Sequence, residues 1–212
     1  MKIRNGMPKT DNKTHLKLLE NDWIPIKEPK SVGTAVLLSI PFMVLNTFIT
    51  VGVIDIFSSV SLNKFGLDLT SDSLSITINL VVIIWLFLLI VIHELIHLVF
   101  IPNFIKSKKT FIGLTLFGGY VITEEKISKS RYILVTISPF VIISVFLPII
   151  LSLFGILTPT FKILILVNSM ASSVDILNLI HLLVQIPKRA NLISNGNKTY
   201  WKYGGYKEYK RL

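Results

Sequence analysis

The chain has 212 residues, 51% of them hydrophobic, with a mean hydropathy of +0.66, a net charge of +10 and no cysteine. It is too apolar for an ordinary soluble domain. Without cysteine there are no disulfides, no thiolate metal site and no cysteine nucleophile.

In chain order, residues 1–31 are polar and basic. They read as a cytoplasmic N-terminal segment, not as a secretory signal, because the first apolar run starts too late and lacks a small-residue cleavage site. Four apolar runs follow, at about 32–57, 76–101, 132–157 and 161–186. Each reaches the ~20 residues needed to cross a bilayer core, and lipid obliges each to satisfy its own backbone as a helix. None alternates with the period of two that a barrel strand requires. Together, residues 32–187 read as a four-span membrane domain. The sequence leaves open whether the first span belongs to the catalytic core; its simplest role is an added anchor. Between spans two and three, Thr110–Phe117 and Tyr120–Thr123 read as short strands turning at Gly118-Gly119. Residues 188–212, rich in Tyr, Lys and Gly, read as a basic cytoplasmic tail, flexible near the membrane surface. The expected fold is an all-α membrane protein of four transmembrane helices, with a small cytoplasmic β-hairpin between helices two and three.

The charge supports this topology. Twenty of the 22 Lys and Arg fall before span one, between spans two and three, or after span four. That is the positive-inside pattern of a protein with both ends in the cytoplasm. The basic surplus therefore points to anionic lipid headgroups and not to nucleic acid. The expected setting is a bacterial cell membrane.

Span two carries three ionisable groups in His93-Glu94-Leu95-Ile96-His97. At i and i+4, two imidazoles lie on one helix face and can reach one point. They form half of a tetrahedral zinc site. The glutamate beside the first histidine projects differently and serves as general base toward metal-activated water. An ionised carboxylate at mid-membrane costs about 2.5–3.5 kcal/mol even on the lenient insertion scale, so chance is a poor account of the motif. The group lies roughly 6–12 Å below the cytoplasmic end of its span at 1.5 Å per residue. A third ligand is required. Asp175 in span four, about 16 Å deep by the same rise, is the first choice. Asn168, Ser172 and Asp175 fall within about 60° on a helical wheel. His181 is the substitute. A set of two histidines and one aspartate suits zinc, one ion per chain, but also other divalent ions. The hairpin between spans two and three offers a substrate an edge strand for β-augmentation, with Gly118 and Gly119 at its turn.

The motif near the cytoplasmic side of its span, the hairpin with "FGGYV", the step "SPF" and the lone aspartate resemble the site-2 protease class of intramembrane zinc metalloproteases. More closely, residues 75–190 resemble the bacterial family described as putative zincin peptidases, the domain of unknown function 3267. That resemblance implies His93, His97 and Asp175 as zinc ligands and Glu94 as general base. It also places Asn168 like the asparagine that precedes the ligand aspartate in site-2 proteases. Those enzymes usually have Leu-Asp-Gly with prolines just upstream, whereas this chain has Val174-Asp175-Ile176, so the tilt or local break that would absorb the depth difference of one or two helical turns is not written in the sequence. The function expected is a membrane-embedded metalloendopeptidase acting on a membrane-associated protein or peptide. The alternatives are a metal-binding transporter or accessory protein without protease activity, and a purely structural polar cluster.

Overall fold

The computed structural model describes residues 1–3, 6, 8–58, 80–115 and 118–204. It is mostly helical, and four of its helices are long and apolar enough to cross a membrane: Val32–Phe57, Leu80–Phe100, Lys129–Leu153 and Pro159–Gln185. We label Val32–Phe57 α2 and Leu80–Phe100 α3; the short Asn12–Glu20 is α1. The third span comprises α4 (Lys129–Pro139), a π-helical stretch Phe140–Phe146 and α5 (Leu147–Leu153). The fourth comprises α6 (Pro159–Ala171) and α7 (Ser173–Gln185), separated at Ser172.

Local chemistry sets the helix starts. Ser31, Ser128 and Thr158 cap α2, α4 and α6 by accepting the N–H of Thr34, Arg131 and Phe161, which satisfies a donor the first turn leaves orphaned. These caps correct two expected boundaries. Span three begins at Lys129, not Tyr132, and span four begins at Pro159. Residues 154–157, expected at the end of span three, form the turn between them, with Gly155 at φ 68°. The first four residues expected in span two, 76–79, lie outside the described residues. Large apolar side chains such as Leu37, Phe48, Leu80, Val81 and Phe87 point outward, 52–72% exposed, as a lipid-facing belt requires.

Span one is no added anchor. Its small polar residues reach into span four: Asn46 Nδ2 donates to the Ser169 carbonyl at 3.2 Å, Thr50 Oγ1 to Ser169 Oγ at 2.9 Å, and Ser173 Oγ to Ser39 Oγ at 3.2 Å. All of these side chains are buried. Small residues that hydrogen-bond across a close helix contact are how apolar helices choose neighbours where lipid removes the hydrophobic drive. Ile54, Leu151 and Ile165 pack together in this helical core.

The expectation of an all-α protein with a single hairpin is too sparse. The strands are β1 (Lys2–Ile3), β2 (Ile24–Pro25), β3 (Thr110–Thr115), β4 (Gly118–Thr123), β5 (Ile127–Ser128), β6 (Ala190–Asn195) and β7 (Lys198–Tyr203). They form two sheets, in the orders β1-β3-β4 and β2-β7-β6-β5. Residues 190–203 are thus a paired hairpin instead of a loose tail; residues 205–212 lie outside the described residues. The N-terminal segment ties the sheets together. β1 runs parallel to β3, β2 pairs with β7, and between them Asp11 and Asn195 exchange hydrogen bonds. Both sheets are built from the three basic segments, so those segments gather at one end of the helical bundle. Ile127, Leu182, Ile186, Ala190 and Leu192 form the apolar joint between bundle and sheet.

Candidate metal centre

α3 is apolar throughout except at His93, Glu94 and His97. Their helical spacing turns all three toward the protein interior, where Glu94 and His97 are each 8% exposed. The two imidazoles stand edge to face with centroids 5.0 Å apart. Asp175 meets them from the first turn of α7, its Oδ2 lying 3.2 Å from His93 Nε2 and 3.5 Å from His97 Nε2. The depth mismatch expected between the two spans is therefore absorbed. Span four is interrupted at Ser172, whose ψ of −3° departs from the helical value. The interruption occurs without a glycine or proline beside the aspartate.

The far side of each ring is anchored. His97 Nδ1 donates to the Val135 carbonyl at 2.7 Å. His93 Nδ1 lies 2.9 Å from Asn168 Oδ1. Asn168 Nδ2 donates to the Pro139 carbonyl at 3.3 Å and to Ser144 Oγ at 2.9 Å, so the amide must turn its oxygen to the histidine. Both rings thus carry their proton on Nδ1. Both Nε2 atoms then present a lone pair to a carboxylate oxygen that offers only more lone pairs. Three such atoms, within 4.8 Å of one another, repel unless a proton or a metal ion stands among them. The donors are of the type and number that zinc takes in an open catalytic site, and anchoring of the non-ligating nitrogen is the usual support for a ligand histidine. The residues fit a metal ion.

His181 is not in this group. It lies six residues beyond Asp175, about 9 Å along the helix, with its Nδ1 buried and unpartnered.

Glu94 packs against β4. A Cβ built on Gly119 would lie 2.8 Å from Glu94 Oε1 and closer still to its Cγ, so only glycine allows the strand this near the carboxylate. Gly118 adopts φ 133°, a region open to glycine and strained for other residues. The expected place of the two glycines needs correction. They lie in the strand, Thr115 pairing with Gly118 and Leu114 with Gly119. Residues 116 and 117, between the strands, are outside the described residues. Replacing Gly119 by alanine is expected to displace Glu94 or the strand. Overpacking of this kind costs about 1–3 kcal/mol, read as a lower thermal midpoint of the purified protein; a midpoint equal to wild type would show that the close approach is incidental.

These residues line a cleft of about 670 Å³. Its walls combine apolar residues of the spans, such as Leu86, Ile90 and Val167, with polar residues of the flanking segments, such as Glu28, Lys30 and Asn197. Burial pushes the Glu28 carboxyl above its ordinary value despite the Thr199 N–H it accepts.

With that geometry in place, comparison with known proteins is informative. Residues 86–191, half of the chain, match the family described as "Putative zincin peptidase", the domain of unknown function 3267. The chain belongs to this family. No curated protein and no solved structure matches it. The zincin family name denotes metallopeptidases, and the matched segment contains all of His93, Glu94, His97 and Asp175. It also contains the supports Val135, Pro139 and Ser144. Of these only Pro139 lies in the "SPF" step; the Val135 carbonyl and the Ser144 hydroxyl carry no motif of their own.

Proposed function

We propose that this zincin-family protein is a membrane-embedded zinc endopeptidase that hydrolyses a peptide bond in or near a membrane segment. The observation that carries the reading is the convergence of two Nδ1-anchored histidines on Asp175, with the Glu94 carboxylate alongside in the same cleft. Zinc held there supplies a water of lowered pKa and polarises a carbonyl. Glu94 is placed to take the proton of the attacking water and hand it to the leaving amine. His93, His97 and Asp175 hold the ion, and Asn168 orients His93.

β4 stands at the edge of its sheet, and its glycines face the cleft. An extended peptide can add to that edge through main-chain hydrogen bonds, which brings its backbone past Glu94. A cleft lined both by apolar residues of the spans and by polar residues of the flanking segments suits a segment that leaves the bilayer. In this reading the termini and both sheets face the cytoplasm of a bacterial cell and the basic surface meets anionic lipid, and nucleic acid is no partner.

The test is zinc per chain by elemental mass spectrometry on detergent-purified protein, paired with the new protein N-termini that appear in membranes containing it. Wild type should carry one zinc and create new N-termini; His93→Ala should do neither. Zinc without new N-termini would favour a transporter or accessory protein, and no zinc after reloading would leave only a structural cluster.

A further inference from the structure

Pro139 sits in the middle of span three, fully buried, and is neither a candidate metal ligand nor a residue of the cleft lining. Its chemistry nevertheless reaches both histidines. A helical residue donates its N–H to the carbonyl four residues earlier. Proline has no N–H, and its ring crowds that same carbonyl. Residue 139 minus four is Val135. The Val135 carbonyl is therefore released from the helix ladder, and it is the acceptor of His97 Nδ1–H at 2.7 Å. The carbonyl of Pro139 itself accepts Asn168 Nδ2 at 3.3 Å, and Asn168 anchors His93. The π-helical stretch that follows places Ser144 Oγ as the second acceptor for Asn168.

We propose that Pro139 is the positioning residue of the metal centre: its missing N–H frees the anchor for His97, and its carbonyl helps hold the anchor for His93. One residue thus sets the Nδ1–H tautomer and the orientation of both rings. Ser138 Oγ also donates to the Val135 carbonyl at 3.0 Å. A carbonyl has two lone pairs, so the hydroxyl and the imidazole share it, whereas an added backbone N–H would take the place of one of them. Because this inference rests on the zinc reading of the site, its test must separate the two.

The test uses the full chain in detergent, with zinc as the probe. Pro139→Ala restores an N–H aimed at the Val135 carbonyl. Zinc affinity, measured by competition with a chelator, should fall about 10–100-fold, the usual cost of losing an outer-shell partner, with helix content unchanged. Pro148→Ala, at a fully buried proline of α5 outside this hydrogen-bond network, should bind zinc like the wild type. Nitrogen-15 spectra of histidine-labelled, zinc-loaded wild type should show Nδ1–H and zinc-bound Nε2 on both His93 and His97. This measurement decides the matter even where the alanine variant does not fold. Wild-type affinity in a folded Pro139→Ala variant overturns the inference, as does zinc on Nδ1 of either histidine, and both leave the peptidase reading standing. A wild type that binds no zinc overturns that reading and this inference with it.

Discussion

Asp175→Ala is expected to lose its zinc during purification, while wild type keeps about one ion per chain. The change deletes one of three donors, so affinity should fall by more than the 10–100-fold typical of an outer-shell loss. No other described carboxylate, cysteine or histidine joins the cluster, so the structure holds no spare ligand at this depth. Asp175→Asn is the sharper variant. It keeps the size and one oxygen but removes the charge, and it should bind zinc more weakly than wild type and more strongly than Asp175→Ala. The metal-free alanine variant should remain folded. In the absence of zinc, Asp175 Oδ2 keeps only its contacts at 3.2 and 3.5 Å to the two imidazoles, a small part of the packing and hydrogen bonding that hold the four spans together. Elemental mass spectrometry and circular dichroism on the same samples check both halves. A full complement of zinc in Asp175→Ala would transfer the third ligand elsewhere and require helix α7 to shift enough to bring in His181.

The spans were legible because lipid admits so few solutions. A run of about 20 apolar residues must be a helix, and span one is found at Val32–Phe57 as expected. The i, i+4 spacing of His93 and His97 was equally legible, because helix geometry alone puts them on one face. What brings them to Asp175 was less so. An interruption at Ser172 needs no glycine or proline when neighbouring spans supply hydrogen bonds, as Ser39 does to Ser173. The sheets were mostly hidden. β1, β2 and β5 have two residues each, too short for any periodicity, and they exist only because partners far along the chain pair with them. The tail hairpin had a turn signal in Asn195-Gly196-Asn197, which its Lys, Tyr and Gly content masked. Paired glycines such as Gly118-Gly119 usually make a turn. The reason for Gly119 lies across the fold, in the Glu94 side chain that a Cβ would strike.

Glu94→Gln separates binding from chemistry. The glutamate belongs to neither the group that converges on the metal position nor its hydrogen-bonded supports, so the variant should keep its zinc. Glutamine matches glutamate in size and leaves the approach of Gly119 undisturbed, so the cleft should keep its shape and its affinity for peptide. A carboxamide cannot take a proton at neutral pH. General-base catalysis typically contributes about 10²–10⁴-fold, and the rate at which new N-termini appear should fall by that factor. The loss should fall on turnover and not on substrate binding, the mark of an interaction made in the transition state. It should also persist when zinc is added in excess, whereas loss through a weakened metal site would be reversed. Cleavage at the wild-type rate by a zinc-loaded Glu94→Gln protein would remove Glu94 from the reaction. A proton acceptor would then have to be found elsewhere on the cleft wall, where His181, with its buried and unpartnered Nδ1, is the group to replace next.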